Sequence, residues 1–184
     1  MVLEFRRPDN TTGWFDLRGH WRTFSKLCNL DGKGNQMRDI DTVIIHCSAT
    51  RPNWWQLEKS DDKVDEIRRW HMEERGWSDI GYHYVIDRNG EIVEGRSIER
   101  TGAHARGYNK GSIGICLLGG HGSSADDKFE ENFTDLQSES LKELIEELDV
   151  EYDIKDIMGH NQISSKACPG FEVPAWLNSV GLLY

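Results

Sequence analysis

The 184-residue chain lacks the long apolar runs that a membrane-spanning helix needs, since none approaches about eighteen residues. Its first ten residues also lack the hydrophobic centre of a secretory signal peptide. We therefore expect synthesis in the cytoplasm without a signal peptide, no membrane span, and another route outward if the substrate lies outside the cell. The sequence also contains no internal repeat and no low-complexity tract.

Cysteine is scarce and widely spaced, which argues against a dense disulfide framework. The cysteines form no C-x-x-C motif, and the sequence contains no H-E-x-x-H motif either. Cytoplasmic synthesis and scattered spacing together favour free thiols, one of them available to a metal. The four residues are Cys28, Cys47, Cys116 and Cys168.

Basic residues are few in most of the chain. Residues 1–39 hold seven Lys/Arg and five Asp/Glu, whereas residues 40–184 hold 15 Lys/Arg and 27 Asp/Glu, a net charge of −12. A body this acidic lacks the positive surface that a nucleic-acid backbone requires, so no nucleic-acid partner is expected. For the same reason, residues 40–184 cannot attract an anionic cell wall over long range.

The length and composition suit one soluble domain, since 37% of the residues are apolar and 29% are charged. We predict a monomer with a main domain over residues 40–184 and an N-terminal extension over residues 1–39. The extension is too aromatic for a disordered tail. Two roles stay open for it: covering an edge of the sheet, or attachment to the cell wall or to a protein partner.

Apolar periodicity and turn residues predict alternating strands and helices. Asn89-Gly90 favours a two-residue turn between antiparallel strands, and Thr134 with Gln137 forms a capping box that begins a helix. This order implies an α/β fold with a mixed central sheet flanked by helices. We predict strands at 42–45, around the turn at 89–90, at 112–118 and at 154–158, and helices at 62–75, 134–148 and 174–180.

Two histidines and a cysteine are candidates for a metal centre. His46 ends the apolar run T-V-I-I, His160 follows another short strand, and Cys168 lies in K-A-C-P-G-F. Two neutral imidazoles and a thiolate would fill three corners of a tetrahedral Zn²⁺ site and leave one open, as catalytic sites do. Spacing alone leaves a second interpretation open, because a histidine at a strand end is more often an ordinary packed residue.

Four separate blocks of sequence resemble one known family. They are H-C-S-A-T from residue 46, G-W-S-D-I-G-Y-H-Y-V-I-D-R-N-G from 76, A-H-A-R-G-Y-N-K-G-S-I-G-I-C-L-L-G-G from 103 and K-A-C-P-G-F from 166. They are similar, in the same order, to the zinc N-acetylmuramoyl-L-alanine amidases of small phage lysozymes and to peptidoglycan recognition proteins. The resemblance covers about residue 41 to the C-terminus.

The resemblance implies a function and a set of site residues. It implies a phage endolysin that cleaves peptidoglycan between N-acetylmuramic acid and L-alanine, with one Zn²⁺ in a cleft at the strand ends. His46, His160 and Cys168 would be the metal ligands. Tyr82 and Lys166 would be the catalytic residues that do not bind metal.

The residue types suit those roles. Lys166 lies two residues before Cys168, and in an extended segment both would project to one side, so its ammonium could stabilise an oxyanion. The phenol of Tyr82 could donate a hydrogen bond in the cleft. His104, Arg106 and Asn109 match the groove wall of the family and are predicted to bind substrate, with Arg106 suited to a carboxylate.

Two alternatives to the amidase remain at this stage. One is a recognition module that binds muropeptides without cutting them, although the retained Cys168 favours an enzyme. The other is an amidase with a second role in binding a phage RNA polymerase, which the unfamiliar N-terminal extension does not support.

Overall fold

A computed structural model describes residues 38–184 and, before them, the backbone of three short strands. The chain divides into two compact units, Met1–Met37 and Arg38–Tyr184. The three strands pair antiparallel in the order β1-β2-β3. The predicted roles of the extension concern residues outside those described. The strands are β1 (Phe5–Arg6), β2 (Thr12–Phe15) and β3 (Trp21–Thr23).

A five-stranded mixed sheet forms the centre of the larger unit, as predicted. Its order is β6-β5-β7-β4-β8, and all neighbours are parallel except β6, which pairs antiparallel with β5 at one edge. The parallel strands therefore end at a common edge of the sheet. The strands are β4 (Thr42–Cys47), β5 (Tyr84–Ile86), β6 (Ile92–Glu94), β7 (Ser112–Leu117) and β8 (Asp156–Gly159).

The helices differ from the predicted ones mainly at their ends. The first begins two residues early and continues into a π-helical turn, Trp70–Glu74, before Gly76 stops it with positive φ. A short helix also forms in the polar stretch after residue 121, whose composition favours a loop. None of the described helices is both long and apolar enough to cross a membrane. The helices are α1 (Ser60–Arg69), α2 (Phe129–Asn132), α3 (Asp135–Tyr152) and α4 (Val173–Val180).

The start of α3 confirms the predicted capping box. The Thr134 side chain accepts a hydrogen bond from the Gln137 N–H at 3.2 Å, and the Gln137 side chain accepts one from the Thr134 N–H, also at 3.2 Å. These two bonds satisfy backbone donors that a helix start otherwise leaves free. The Gln137 amide also donates to carbonyls of Ile86 and Leu118, so the cap ties α3 to the sheet.

The turn between β5 and β6 is longer than predicted. Asp87 and Glu91 still form a backbone hydrogen bond, which leaves a three-residue loop between them. Of the loop residues only Gly90 has positive φ, at 83°, whereas a two-residue turn would require it at Asn89 as well. The Asn89 side chain instead accepts from the Glu91 N–H at 3.0 Å and closes the loop.

Alternate residues of the central strands pack into two cores. On one face, Ile113, Ile115 and Leu117 of β7 join the apolar faces of α3 and α4 in the larger core. On the other face, Cys116 packs with Val85 and α1 in a smaller core. His46 pairs in register with Cys116 and so belongs to this second face.

Candidate metal centre and catalytic cleft

The structure brings the three predicted metal ligands together. His46 is the penultimate residue of β4, and His160 directly follows β8, the parallel neighbour of β4. Cys168 lies in the turn before α4. One ligand atom from each residue falls within 4.8 Å of the others. Adjacent parallel strands with a common end are what bring such distant residues into contact.

The spacing of His46 and Cys168 fits two ligands of one tetrahedral zinc ion. The Sγ of Cys168 lies 3.7 Å from Nδ1 of His46. Bond lengths of about 2.3 Å to sulfur and about 2.1 Å to nitrogen at a tetrahedral angle place the two ligand atoms about 3.6 Å apart. Two imidazoles and one thiol also form a donor set that binds Zn²⁺ in preference to Mg²⁺ or Ca²⁺.

The His46 ring is held on both sides. Its Nδ1 faces Cys168, and its Nε2 lies 3.0 Å from Nδ1 of His104. The side chain is only 1% exposed, and burial lowers its pKa well below 6.5, helped by the neighbouring His104 and His160. The ring is therefore neutral, with Nδ1 available for metal and the Nε2 proton directed at His104.

His104 connects His46 to the protein interior. Its Nε2 lies 3.4 Å from the Ser112 hydroxyl, which donates to the Tyr108 carbonyl at 2.7 Å. One choice of hydrogen positions satisfies all three hydrogen bonds. In it, His46 donates to His104, His104 donates to Ser112, and Ser112 donates to the Tyr108 carbonyl. Burial lowers the pKa of His104 to about 3, consistent with a neutral ring.

Gly114 leaves room for the His104 ring. The sequence did not indicate this role. A Cβ at this position in β7 would lie 2.5 Å from Cγ of His104. The only available clue was a glycine inside an otherwise apolar strand, which often marks a close approach of another group. Any larger residue would therefore move the His104 ring away from His46.

Cys168 is placed by the backbone of β4. The Cys47 N–H donates a hydrogen bond to its Sγ at 3.3 Å. In the metal-free protein, hydrogen bonding with Cys47 and burial raise the pKa of the Cys168 thiol. Metal binding must therefore displace a proton from this thiol.

Tyr82 and Lys166 line the same cleft as the three ligands. The cleft has a volume of about 390 Å³ and also contains His71, Arg75 and Trp77 in its wall. The predicted extended segment between Lys166 and Cys168 is wrong, because the chain bends and turns there. The turn nevertheless leaves both residues on the cleft wall.

Tyr82 packs against His46, one of the predicted metal ligands. Its ring centroid lies 5.2 Å from that of His46 and 5.4 Å from that of His71. Burial raises the pKa of the Tyr82 phenol well above 10, so it stays protonated at neutral pH and can donate a hydrogen bond.

The three predicted substrate-binding residues differ in whether they line the cleft and in what they contact. His104 lines the cleft but is buried against His46. Asn109 accepts hydrogen bonds from the backbone N–H groups of His104 and Ala105 at 2.9 and 2.8 Å, so it shapes the loop. Arg106 is exposed and does not line the cleft. Their part in substrate binding stays a prediction.

Arg75 is the cleft arginine that the sequence did not single out. It lies at the end of the π-helical turn, with its guanidinium carbon 5.5 Å from the centre of the Trp77 ring. This contact holds a cation at the cleft wall. No ion pair of Arg75 occurs within the described part of the chain.

Comparison with known proteins identifies the family. The profile of a family described as N-acetylmuramoyl-L-alanine amidase matches residues 36–171. The chain belongs to this family. The endolysin of Escherichia phage T7 is 41% identical over 143 residues, which span 77% of this amidase and 87% of that protein. Peptidoglycan-recognition protein SC2 of Drosophila melanogaster is 32% identical over 123 residues, or 63% of each chain.

A solved structure shares the fold. The N-acetylmuramoyl-L-alanine amidase LysC from Clostridium intestinale URNW superimposes with a TM-score of 0.61 at 27% identity, covering 79% of this amidase and 88% of that chain. These similarities confirm the resemblance and the prediction of a peptidoglycan amidase. They do not favour the alternative of a non-catalytic recognition module.

Proposed function

We propose that the protein is a zinc-dependent amidase that hydrolyses the bond between N-acetylmuramic acid and the L-alanine of the peptide stem, as an endolysin acting on the bacterial cell wall. One observation carries the proposal: the ligand atoms of His46, His160 and Cys168 lie within 4.8 Å of one another in a cleft that Tyr82 and Lys166 also line. Metal-assisted amide hydrolysis uses such a combination, in which a metal activates water and polarises the carbonyl while hydrogen-bond donors and a cation stabilise the oxyanion.

The two histidine ligands are already neutral, as metal binding requires, whereas Cys168 must lose its proton when a metal binds. His46 would bind through Nδ1. Its Nε2–H would donate a hydrogen bond to His104, which fixes the orientation of the ring. Cys168 would bind as a thiolate beside the Cys47 N–H, which donates to sulfur. When bound, Zn²⁺ would act as a Lewis acid and lower the pKa of water toward about 7.

Tyr82 and Lys166 act on the substrate in this proposal. The protonated phenol of Tyr82 donates a hydrogen bond to an oxygen at the reacting centre. Lys166 is exposed at the cleft wall, where its positive charge stabilises the oxygen of the scissile carbonyl as that oxygen becomes negative. Neither role requires the residue to bind the metal.

Arg75 and Arg106 are the two candidates for binding a carboxylate of the peptide stem. Both guanidinium groups suit a carboxylate by their planar geometry. Only Arg75 lines the cleft, and its contact with Trp77 reduces the freedom that substrate binding would otherwise have to remove. We therefore place Arg75 first and keep Arg106 as a second contact for longer stems.

The products of peptidoglycan digestion test this function. We expect digested peptidoglycan to show new N-terminal L-alanine and unsubstituted muramic acid by mass spectrometry. Chelation should abolish both products, and added Zn²⁺ should restore them. New reducing sugar ends would indicate a glycosidase instead, and full activity of a verified metal-free preparation would remove zinc from the mechanism.

A further inference from the structure

A second depression lies beside the metal cleft. It has a volume of about 320 Å³, and its wall includes Thr50, Trp54 and Leu118. Thr50 forms an isolated β-bridge with Gly120, a residue of the metal cleft, and its carbonyl accepts from the His121 N–H at 3.2 Å. The two depressions therefore share a wall. We call the second one the tryptophan depression.

Trp54 lines this depression and contacts two further tryptophans. Its ring lies 5.3 Å from that of Trp55, stacked at 17°, and 5.2 Å from that of Trp70, tilted at 47°, so two neighbouring rings restrain it. Trp55 is the outermost ring and is 42% exposed. A rigid, partly exposed aromatic plane beside a polar hollow is a surface on which the apolar face of a sugar ring packs well.

The hollow also offers unused polar groups. Arg51 and Gln56 line it, and their side chains make no hydrogen bond or ion pair with any described residue. The Trp54 indole N–H likewise has no acceptor among these residues. Together they provide donors and an amide acceptor that match hydroxyl and acetamido groups.

The depression carries charged side chains of both signs. At its floor, Lys63 and Asp87 form an ion pair at 2.6 Å, with side chains only 8% and 4% exposed. Ser60 also donates to Asp87 at 2.8 Å, so this carboxylate is fully engaged. The net charge of −10 over the whole chain disfavours an anionic lipid surface. Arg51 and Arg88 also line the depression together with the oppositely charged Glu58, so its charges are mixed in sign and fit a neutral, polar ligand with one apolar face.

We propose that the tryptophan depression binds an N-acetylated sugar of the glycan strand, away from the bond that is cut. This inference rests on the proposed function, because a substrate attached to a polymer of such sugars extends beyond the metal cleft. The depression would hold the polymer while the cleft acts on one stem. Short substrates that fill only the cleft would gain nothing from it.

A binding experiment tests the sugar site without hydrolysis. The probe is the peptide-free tetramer of N-acetylglucosamine, measured by titration calorimetry against the full chain. We expect Trp55→Ala to weaken binding about fivefold or more, Gln56→Ala to weaken it less, and Trp55→Phe to retain most of it. The matched control is Leu57→Ala, since Leu57 is 97% exposed in the same loop but has no ring; it should bind as the wild type does.

A kinetic experiment tests the link to the polymer. With intact peptidoglycan, Trp55→Ala should raise KM about fivefold and leave kcat unchanged, whereas turnover of a small soluble muropeptide should not change. Equal losses on both substrates would overturn the proposal, as would equal effects of Trp55→Ala and Leu57→Ala.

Other results separate the rival explanations. A wild-type protein that fails to bind the tetramer, but binds phosphatidylglycerol vesicles through Trp55, would assign the surface to membranes and overturn the sugar site. A wild-type protein that binds the tetramer but cleaves neither substrate would refute the proposed function and leave the sugar site standing.

Discussion

The metal cleft and the tryptophan depression adjoin each other but differ in how their side chains are held. In the cleft, His46 is fixed by His104, and Cys168 receives a backbone hydrogen bond. In the depression, Arg51 and Gln56 lack such partners among the described residues. Chemistry requires side chains that are already in place, whereas holding a polymer tolerates groups that adjust on binding. Substitutions in the cleft should therefore affect turnover, whereas substitutions in the depression should affect polymer affinity or stability.

Loss of the thiolate should have the largest effect. Cys168→Ser replaces a soft ligand with a poorly ionising hydroxyl, so we expect zinc and activity to disappear together, with turnover falling at least about 10³-fold. Metal analysis and muropeptide turnover measure both quantities. Cys116→Ala is the control for zinc content, because Cys116 is buried and does not line the cleft, although its thiol contacts the Tyr82 phenol. An active, zinc-loaded Cys168→Ser protein would show that another residue completes the site.

Tyr82→Phe and Lys166→Ala should separate catalysis from metal binding. Each removes a group that stabilises the transition state, so we expect kcat to fall about 10²-fold, roughly 3 kcal/mol, with zinc retained. Tyr108→Phe and Lys155→Ala are matched controls outside the cleft. Unchanged kcat in both cleft variants would leave the metal to act without them.

His104 should matter for metal affinity more than for substrate binding. His104→Ala removes the partner of His46 and should weaken zinc binding about 10- to 100-fold, measured by competition with a chelator. His104→Asn offers an amide oxygen near the position of Nδ1 and should recover part of that loss. A higher KM with unchanged zinc affinity would instead support the predicted substrate contact.

Substitutions at the floor of the depression should lower the free energy of unfolding rather than the rate of hydrolysis. Lys63→Met leaves Asp87 buried without its cation, which should cost about 3–5 kcal/mol of unfolding free energy. Urea unfolding measures this loss, and Lys155→Ala is the exposed control. The zinc-loaded variant, while folded, should still cleave a small muropeptide at the wild-type rate. A large fall in kcat would link the floor to the active site.

Acid should also lower the stability of the metal-free protein. Burial lowers the pKa of His71 and of His83 to about 4 each, against an ordinary value near 6.5. The unfolded chain therefore binds more protons below about pH 6.5, so the stabilisation is complete above that pH and declines toward pH 4, on the order of a few kcal/mol. Urea midpoints across this range should fall, and His71→Gln should flatten the slope.

The sequence by itself determined the local structure and the chemical identity of the site. The apolar run before His46 predicts its strand, and Thr134 with Gln137 predicts the start of α3, because both depend on residues close in sequence. The family resemblance gave the order of the blocks and hence the ligand set. It pointed to Arg106 and not to Arg75, because Arg75 lies outside the four resembling blocks.

Only the tertiary structure decided which residues meet. His46 and His160 are 114 residues apart and come together because β4 and β8 are parallel neighbours. The contact of His104 with His46 depends on the space above Gly114, and the tryptophan depression depends on a loop packing beside β7. These features arise from sheet order and side-chain packing, which join distant segments and leave no periodic pattern in the sequence.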